Sequence, residues 1–306
     1  MKLSVIIVSY NVKDLLLQCL RSVFVSAGSG KCEVIVVDNH STDDSVASIR
    51  KEFPQVSMIA NEHNAGFSEA NNQGMRISTG EFILLLNPDT EFRNGTLSSL
   101  LAFCETHKNK FLLGPRLLNS DGTLQISAWK KQGTWNVIAE SLFLHKLLHV
   151  SEYSADKFNT QFSPWMVSGA AMLFPRIVFE ETNGMDPHLF WMEDADLSHR
   201  AAKSGAEIIY FPSAEIIHHS GQSSKKNLNV TISNQLLSKL KFIRKHDGLF
   251  LFCVAVCFVK LQIFSRLIIF GIAGLFSTTA SAKAKAYAYS FRKFYRYLFS
   301  GDKRVT

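Results

Sequence analysis

The sequence lacks a glycine-rich G-x-G-x-x-G turn after its first apolar segment. Ser9-Tyr10-Asn11-Val12-Lys13-Asp14 stands there instead, which argues against a dinucleotide-binding dehydrogenase. It also lacks a CxxC pair. Its five cysteines (Cys19, Cys32, Cys104, Cys253, Cys257) are odd in number, so neither a disulfide framework nor a zinc site is indicated. A reducing cytosolic environment fits. No small-residue cleavage site follows the short N-terminal run LSVIIVSY, which Asn11 interrupts, so the run reads as a first strand rather than a signal peptide. No apolar run reaches the roughly 18 to 20 uninterrupted residues of a confident membrane-crossing helix. Internal repeats and low-complexity tracts are absent.

Net positive charge is scarce away from the C-terminus. Net charge is +7, and residues 281–306 hold +6 of it in Lys283, Lys285, Arg292, Lys293, Arg296, Lys303 and Arg304 against Asp302 alone. A nucleic-acid enzyme more often spreads basic residues across its body, so no nucleic-acid partner is expected. The 306 residues, 46% of them hydrophobic, suffice for one large domain or two small ones.

What is present begins with an α/β alternation. Leu3–Ser9, Glu33–Val37, Val56–Ala60 and Ile83–Leu86 read as strands. Helices are expected from a cap at Asn11 to about Val25, after a capping box at Ser41 and Asp44, and from Phe67 to Ser78 with Gly80 as the stop. Four strands with helical crossovers in so few residues imply a doubly wound parallel sheet. Farther on, Asn119-Ser120-Asp121-Gly122 marks a hairpin after Phe111–Leu118. Residues 130–163 read as loop-rich, Glu193–Ser204 as a helix, and Glu207–Phe211 as a strand ended by Pro212.

The segment Ile83–Thr90, ILLLNPDT, carries the clearest chemistry. An apolar strand stops at Asn87-Pro88-Asp89, because proline has no N–H for the ladder. Asp89 is thereby held at the carboxyl edge of the sheet, where open α/β sheets bind ligands. A carboxylate there suits a divalent cation carrying a phosphate-bearing substrate; a plain polar turn is the alternative. Polar residues end two further strands, Ser9 with Asn11 and Asp38 with Asn39. Asp38 can accept the N3–H of a uracil or thymine ring, or cap the following helix.

From Leu249 the chain becomes apolar in two short runs, Leu249–Val259 and Leu267–Phe276, separated by Lys260, Gln262 and Arg266. Burying those three in one spanning helix is costly, so a helix pair lying in one leaflet is at least as well supported. The basic, aromatic segment that follows suits an anionic cytoplasmic membrane surface; an ordinary buried hairpin is the alternative. A domain boundary is expected at 245/246, with residues 1–245 forming the α/β domain and 246–306 a membrane-associating extension.

VSYN, VVDNHSTDDS, NAGFSEANNQG, LLLNPDT, SGAAML and MEDADLSHR, in that order across about residues 3–222, resemble inverting family 2 glycosyltransferases of GT-A fold, and in particular the branch with rhamnosyltransferases of bacterial surface polysaccharides. The resemblance implies an α/β, mostly parallel GT-A sheet with a C-terminal helical extension. It implies transfer of rhamnose or a hexose from a nucleoside-diphosphate sugar (dTDP or UDP) to a lipid-linked saccharide, aided by Mg2+ or Mn2+. Asp89 matches the metal-binding acid of a D-x-D variant in which Asn87 replaces the first acid, and His218, or His219 beside it, matches a histidine that completes the metal site. Asn64, Gly66 and Asn71 match positions near the nucleotide or donor sugar. Asp194 matches the catalytic base, with Glu193 orienting the acceptor; on spacing alone, two acids at a helix N-terminus explain the pair equally. Trp165 and Trp191 are candidates to stack on a sugar or to pack in the core. The small run at Gly169 suits an acceptor floor, and Asp196 with Arg200 reads as a helix-surface ion pair. Two alternatives stay open: a non-catalytic nucleotide-sugar-binding subunit of a membrane complex, and transfer to a protein or soluble sugar.

Overall fold

The computed structural model describes residues 2–27, 32–219 and 228–300. In chain order they form β1 (Leu3–Ser9), α1 (Lys13–Ala27), β2 (Cys32–Asp38), α2 (Ser45–Glu52), β3 (Ser57–Ala60), α3 (Phe67–Ile77), β4 (Phe82–Leu86), β5 (Thr90–Phe92) and α4 (Thr96–Thr106). Next come β6 (Phe111–Leu118), β7 (Leu124–Gln125), β8 (Ala128–Trp129), α5 (Thr134–Ser141), α6 (His145–Leu148), β9 (Met166–Val167), β10 (Ala171–Pro175), α7 (Arg176–Thr182) and α8 (Glu193–Lys203). Last are β11 (Glu207–His218), α9 (Leu228–His246), α10 (Gly248–Ala273) and α11 (Thr278–Ser300).

The chain packs as two compact units. One holds residues 1–129, 153–187 and 193–220; the other holds 130–152, 188–192 and 221–306. The second therefore gathers two earlier stretches with the C-terminal helices.

In the first unit every residue of β1 is buried, as expected of a parallel strand covered on both faces. Successive side chains divide between two cores. Val5, Ile7, Leu84 and Leu86 pack with Leu16, Leu20, Leu97 and Leu100 on one face. Ile6, Val8 and Leu85 pack with Ala70, Met75, Leu197 and Ala201 on the other. The sheet runs β3-β2-β1-β4-β10-β6-β11-β5, with β7 beside β6. Its first four strands are parallel, β10 is antiparallel to its neighbours, and β11 is parallel to β6. The expected α/β sheet is thus present. Because β1 lies between β2 and β4, its carboxyl edge is the topological switch point of the sheet, where such sheets place ligands. Ser9 pairs with Asp38 there, and Leu86 ends β4 alongside.

Several local expectations are corrected. Asn11 does not cap α1. It adopts φ 53 and its Oδ1 accepts from Thr42 N, while Asp43 Oδ2 takes the N–H of Lys13 at 2.8 Å. The cap comes from the neighbouring loop because the ends of β1 and β2 are adjacent. The Ser41/Asp44 capping box does not form: Asp44 is left-handed at φ 61, and Ser41 Oγ accepts from Asn11 N. Helix α3 stops at Ile77, and Gly80 is small for another reason, since a Cβ there would sit 2.6 Å from Ser4 Oγ. Strand β11 does not end at Pro212. It continues to His218 through an irregularity between Phe211 and Glu215, the kind of place where a sheet tolerates proline.

In the second unit, α5 and the helices α9, α10 and α11 share a core that includes Val137, Leu237, Leu240, Ile243, Val259, Ile263 and Phe294. The first apolar run and all of the second but Gly274, Leu275 and Phe276 lie on one helix, α10, of 26 residues. It is long and apolar enough to cross a membrane, with mean hydropathy 2.1. Its interior polar groups do not break it because α5 satisfies them: Arg266 Nη2 donates to the carbonyl of Glu140 at 2.6 Å, and Ser141 Oγ donates to Phe258 O and reaches Gln262 Oε1. Asp247 Oδ2 accepts from the N and Oγ1 of Thr134, capping α5. Helix α11 carries the basic, aromatic stretch as far as Arg296; Lys303 and Arg304 lie outside the described residues.

Candidate active site

Three strand ends supply buried polar atoms. Asp38 is 2% exposed, and its Oδ1 accepts from Ser41 N at 2.9 Å. Its other oxygen, together with Ser9 Oγ and Asn87 Oδ1, is buried without a hydrogen-bond partner. Such atoms are rare in folded proteins, and each calls for an explanation. Three at one sheet edge fit a polar ligand.

Asn39 is committed differently. Its amide nitrogen donates to Asn64 Oδ1, and its carbonyl oxygen accepts from Asn61 Nδ2 and Ala65 N. It thereby shapes the loop that precedes α3. Asn64 also accepts from Gly66 N, and Gly66 sits at φ 85 with open space where a side chain would be. Only glycine adopts that backbone without strain. Asn71, on α3, donates to Phe67 O. Asn11 holds the 41–43 loop, as described above.

Beyond Asn87 the chain turns, and Asp89 meets His218 at the end of β11. Its Oδ1 lies 3.3 Å from His218 Nε2, both side chains largely buried. Gln125 on β7 fixes the imidazole: its Oε1 is 2.7 Å from His218 Nδ1, while its Nε2 donates to Asn119 Oδ1 and His218 O. With both amide protons so used, the oxygen faces the ring, and an acceptor there places the hydrogen on Nδ1. In the neutral ring Nε2 then carries the lone pair, 3.3 Å from a carboxylate oxygen, a geometry that suits an inserted cation. Sequence reasoning missed Gln125, and no local signal marks it.

His219 is a different case. Its Nε2 contacts Glu91, its Nδ1 lies 2.7 Å from Ser120 Oγ, and its N–H donates to Asp89 O. Both ring nitrogens are occupied, so His218 is the available ligand. Among the described residues no three His, Cys, Asp or Glu side chains gather to hold a metal. Asp89, His218 and the orphan Asn87 Oδ1 nevertheless fit a hard cation whose other positions are filled by substrate phosphates. An imidazole is in general a better ligand for Mn2+ than for Mg2+.

A turn of small residues joins this edge to the acid pair. Asn87 N donates to Ala170 O at 2.9 Å, and Gly169 N donates to Asp194 Oδ2 at 3.2 Å. An ideal Cβ on Gly169 would lie 3.4 Å from Asp194 Cβ, so the turn and the acid are in contact. Asp194 Oδ1 accepts from Ala195 N at the start of α8. Burial pushes its carboxyl up to about 6, against the lowering effect of these backbone N–H groups. Glu193 precedes it at the helix N-terminus.

The neighbouring acid is structural. Asp196 and Arg200 do form an ion pair, but Asp196 is fully buried rather than on the helix surface. Arg200 also donates to Thr182 O and Gly184 O, tying α8 to the end of α7. Asn72, also missed from sequence, pins the next residue through both Met185 N and Met185 O. Trp165 lies against His199 of α8, ring centroids 5.5 Å apart. Trp191 belongs to the helical unit, where it is 40% exposed and adopts φ 88.

The chain is 27% identical over 213 residues to the N-acetylglucosaminyl-diphospho-decaprenol L-rhamnosyltransferase of Mycobacterium tuberculosis, covering 63% of this chain and 68% of that protein. Among solved structures it is similar to the mannosyltransferase PcManGT from Pyrobaculum calidifontis in complex with GDP-Man and Mn2+, with TM-score 0.59, 16% identity, and coverage of 98% of this chain and 88% of that one. It is also similar to GalNAc-T7 with UDP, GalNAc and Mn2+, with TM-score 0.55, 15% identity, and coverage of 71% of this chain and 43% of that one. These likenesses show the GT-A-type fold. The family model for glycosyl transferase family 2 matches residues 4–182, more than half of the chain, so the chain belongs to that family and is a glycosyltransferase.

Proposed function

We propose that the protein transfers a sugar, with inversion, from a dTDP- or UDP-linked donor (dTDP-rhamnose or a UDP-hexose) to a lipid-linked saccharide, at the cytoplasmic face of a membrane, in surface polysaccharide synthesis. The observation that carries this reading is the 168–170 turn, which bonds to the NPDT strand end on one side and to Asp194 on the other. A donor-binding edge and a base are thereby one hydrogen-bonded turn apart. The mycobacterial relative's lipid-linked acceptor supports the choice of acceptor class.

On this reading Asp38 Oδ2 accepts the N3–H of the pyrimidine, and Ser9 and Asn11 line the same edge. Asn39 holds the loop whose Asn64 and Gly66 approach the donor, with Asn71 behind them. Asp89 and His218, with Asn87, hold Mg2+ or Mn2+. When bound, the cation offsets the charge that develops on the departing nucleoside diphosphate. Asp194 takes the proton of the acceptor hydroxyl as that oxygen attacks the anomeric carbon. A carboxyl near pH 6 is ionised at neutral pH yet more basic than an exposed one. Glu193 orients the acceptor, Gly169 leaves room for it, and Trp165 offers a face to its sugar ring. The apolar α10 and basic α11 dock the enzyme on an anionic bilayer.

The test is a thermal-shift screen of nucleotide sugars with and without Mn2+, followed by transfer to lipid-linked and to free saccharides and NMR of the product's anomeric proton. Stabilisation by a dTDP- or UDP-sugar, larger with Mn2+ and lost in Asp89→Ala, is expected. A product of inverted configuration on the lipid-linked acceptor is expected. Full activity in excess chelator overturns the metal assignment, and a retained configuration overturns the displacement mechanism.

A further inference from the structure

The helical unit exposes apolar side chains well outside α10 and α11. From the end of α5 through α6 the chain reads Leu142-Phe143-Leu144-His145-Lys146-Leu147-Leu148-His149. Leu147 is 75% exposed, Leu148 57% and Phe143 51%, and Trp135 on α5 is 77% exposed. Scattered apolar residues need no explanation, but a contiguous group of this size does.

The backbone is held in an unfavourable form to present them. Phe143 (φ 62) and His149 (φ 44) are both left-handed, a conformation that bulky residues adopt at a cost and that tends to mark function. Polar tethers secure each end. Arg266 donates to Glu140 O, and its guanidinium lies 4.1 Å from the ring centre of Phe143. Lys130 Nζ donates to His149 O at 3.1 Å. The leucines between these tethers gain no core from the strain.

The accompanying charge points to one partner. The only acid in residues 130–149 is Glu140, which Lys239 neutralises at 2.5 Å; Lys146 lies within the apolar stretch, Lys130 bonds to its end, and Lys131 follows Lys130 in sequence. Exposed leucine and phenylalanine flanked by lysine is the pattern of a segment that enters the interface of an anionic bilayer.

We infer that residues 142–149 are a second membrane-insertion segment, with Phe143, Leu147 and Leu148 passing below the headgroups and Lys131 and Lys146 at the phosphate level. This rests on the proposed membrane docking of α10 and α11 and adds a separate point of entry, about a hundred residues earlier in the sequence. Two entry points, far apart in sequence, fix the orientation of the helical unit on the surface.

Sedimentation of the full chain with phosphatidylcholine vesicles containing phosphatidylglycerol tests this. Leu147→Gln combined with Leu148→Gln should lower the partition coefficient roughly tenfold without changing the thermal unfolding temperature, because both side chains are exposed. Lys131→Gln with Lys146→Gln should weaken binding to anionic vesicles and leave binding to neutral ones unchanged. Equal partitioning of the leucine variant and the wild type overturns the inference while membrane docking stands. If the wild type itself stays in the supernatant, docking falls and the inference with it. If the leucine variant abolishes a wild-type dimer in light scattering while vesicle binding is unchanged, the patch is a self-association surface and the inference is overturned.

Discussion

In the α/β unit three of the buried polar atoms without a hydrogen-bond partner, Ser9 Oγ, Asp38 Oδ2 and Asn87 Oδ1, gather at one sheet edge. In the helical unit the conspicuous exposed groups are apolar: Leu147, Leu148, Phe250, Ile268, Ile272, Leu275 and Phe276. There Glu140, Lys239, Gln262 and Arg266 all have partners although they lie among apolar helices. An orphan oxygen is relieved by a hydrogen-bond donor or a cation, and an exposed leucine by a nonaqueous surface. On the proposed reading the difference teaches how to use each unit: the orphan atoms at the sheet edge mark the donor site, and the exposed apolar groups mark the membrane-docking surface.

The largest expected effect breaks the comparison from the side of chemistry. Asp194→Asn should cut transfer by about 10²- to 10⁴-fold, the scale of general-base catalysis, with donor affinity in thermal shift unchanged. The same variant should be more stable at pH 8. Burial raises the carboxyl above its ordinary value. Its contribution to stability is therefore complete below about pH 4 and is lost as pH rises through about 6, so an uncharged amide gains only at the higher pH. The gain is on the order of 2 kcal/mol or less, and it should vanish near pH 4. For the wild type, transfer should fall tenfold per pH unit below about pH 6 as the base becomes protonated. Near-normal turnover of the amide variant removes Asp194 from the role, and Glu193 becomes the candidate.

A smaller effect sharpens the reading of the sheet edge. Gln125→Leu removes the acceptor that orients His218 without touching the proposed ligands. Mn2+ affinity, read from the paramagnetic resonance of free Mn2+ in the presence of UDP or dTDP, should weaken about tenfold. His218→Ala should weaken it further, and His219→Ala should act through stability alone. Equal Mn2+ affinities in all three variants and the wild type rule out the imidazole as a ligand.

The smallest effect belongs to the helical unit. Asp247→Ala removes the side chain that caps α5 from its distant neighbour and should cost about 1 kcal/mol in chemical denaturation. Donor binding should not change. A loss of donor binding with folding intact would show that the two units are not separable in this sense.

How legible was this in the sequence? The place of Asp89 just beyond the end of β4 was, because an apolar strand, a proline and an acid are consecutive in the chain. So was the sheet, whose buried parallel strands carry near-continuous Val, Ile and Leu. Asn11 was misread as a cap because the group that caps α1, Asp43, comes from a loop brought alongside only by strand pairing. The two histidines were nearly indistinguishable, since their roles depend on Gln125, Ser120 and Glu91, residues about a hundred positions away. Helix α10 looked broken at Lys260, Gln262 and Arg266 because the carbonyl of Glu140, which makes Arg266 tolerable inside the unit, lies 126 positions earlier. Local patterns carried local structure, and groups satisfied at long range were misjudged.

The irregularity in β11 has a consequence for the two histidines. Phe211 pairs with Pro115 and Glu215 with Arg116, so residues 212–214 have no counterparts on β6. Side chains on a strand alternate between faces, and an odd insertion inverts that alternation for everything downstream. The kink around Pro212 therefore acts as a phase setter for the last stretch of the strand, deciding which of two adjacent imidazoles turns toward Asp89 and which becomes a peg against Glu91. Substitutions within 212–214 leave that parity intact. The loss or gain of a single residue there would exchange the two faces, and with them the chemistry, while every side chain of the site remained in the sequence.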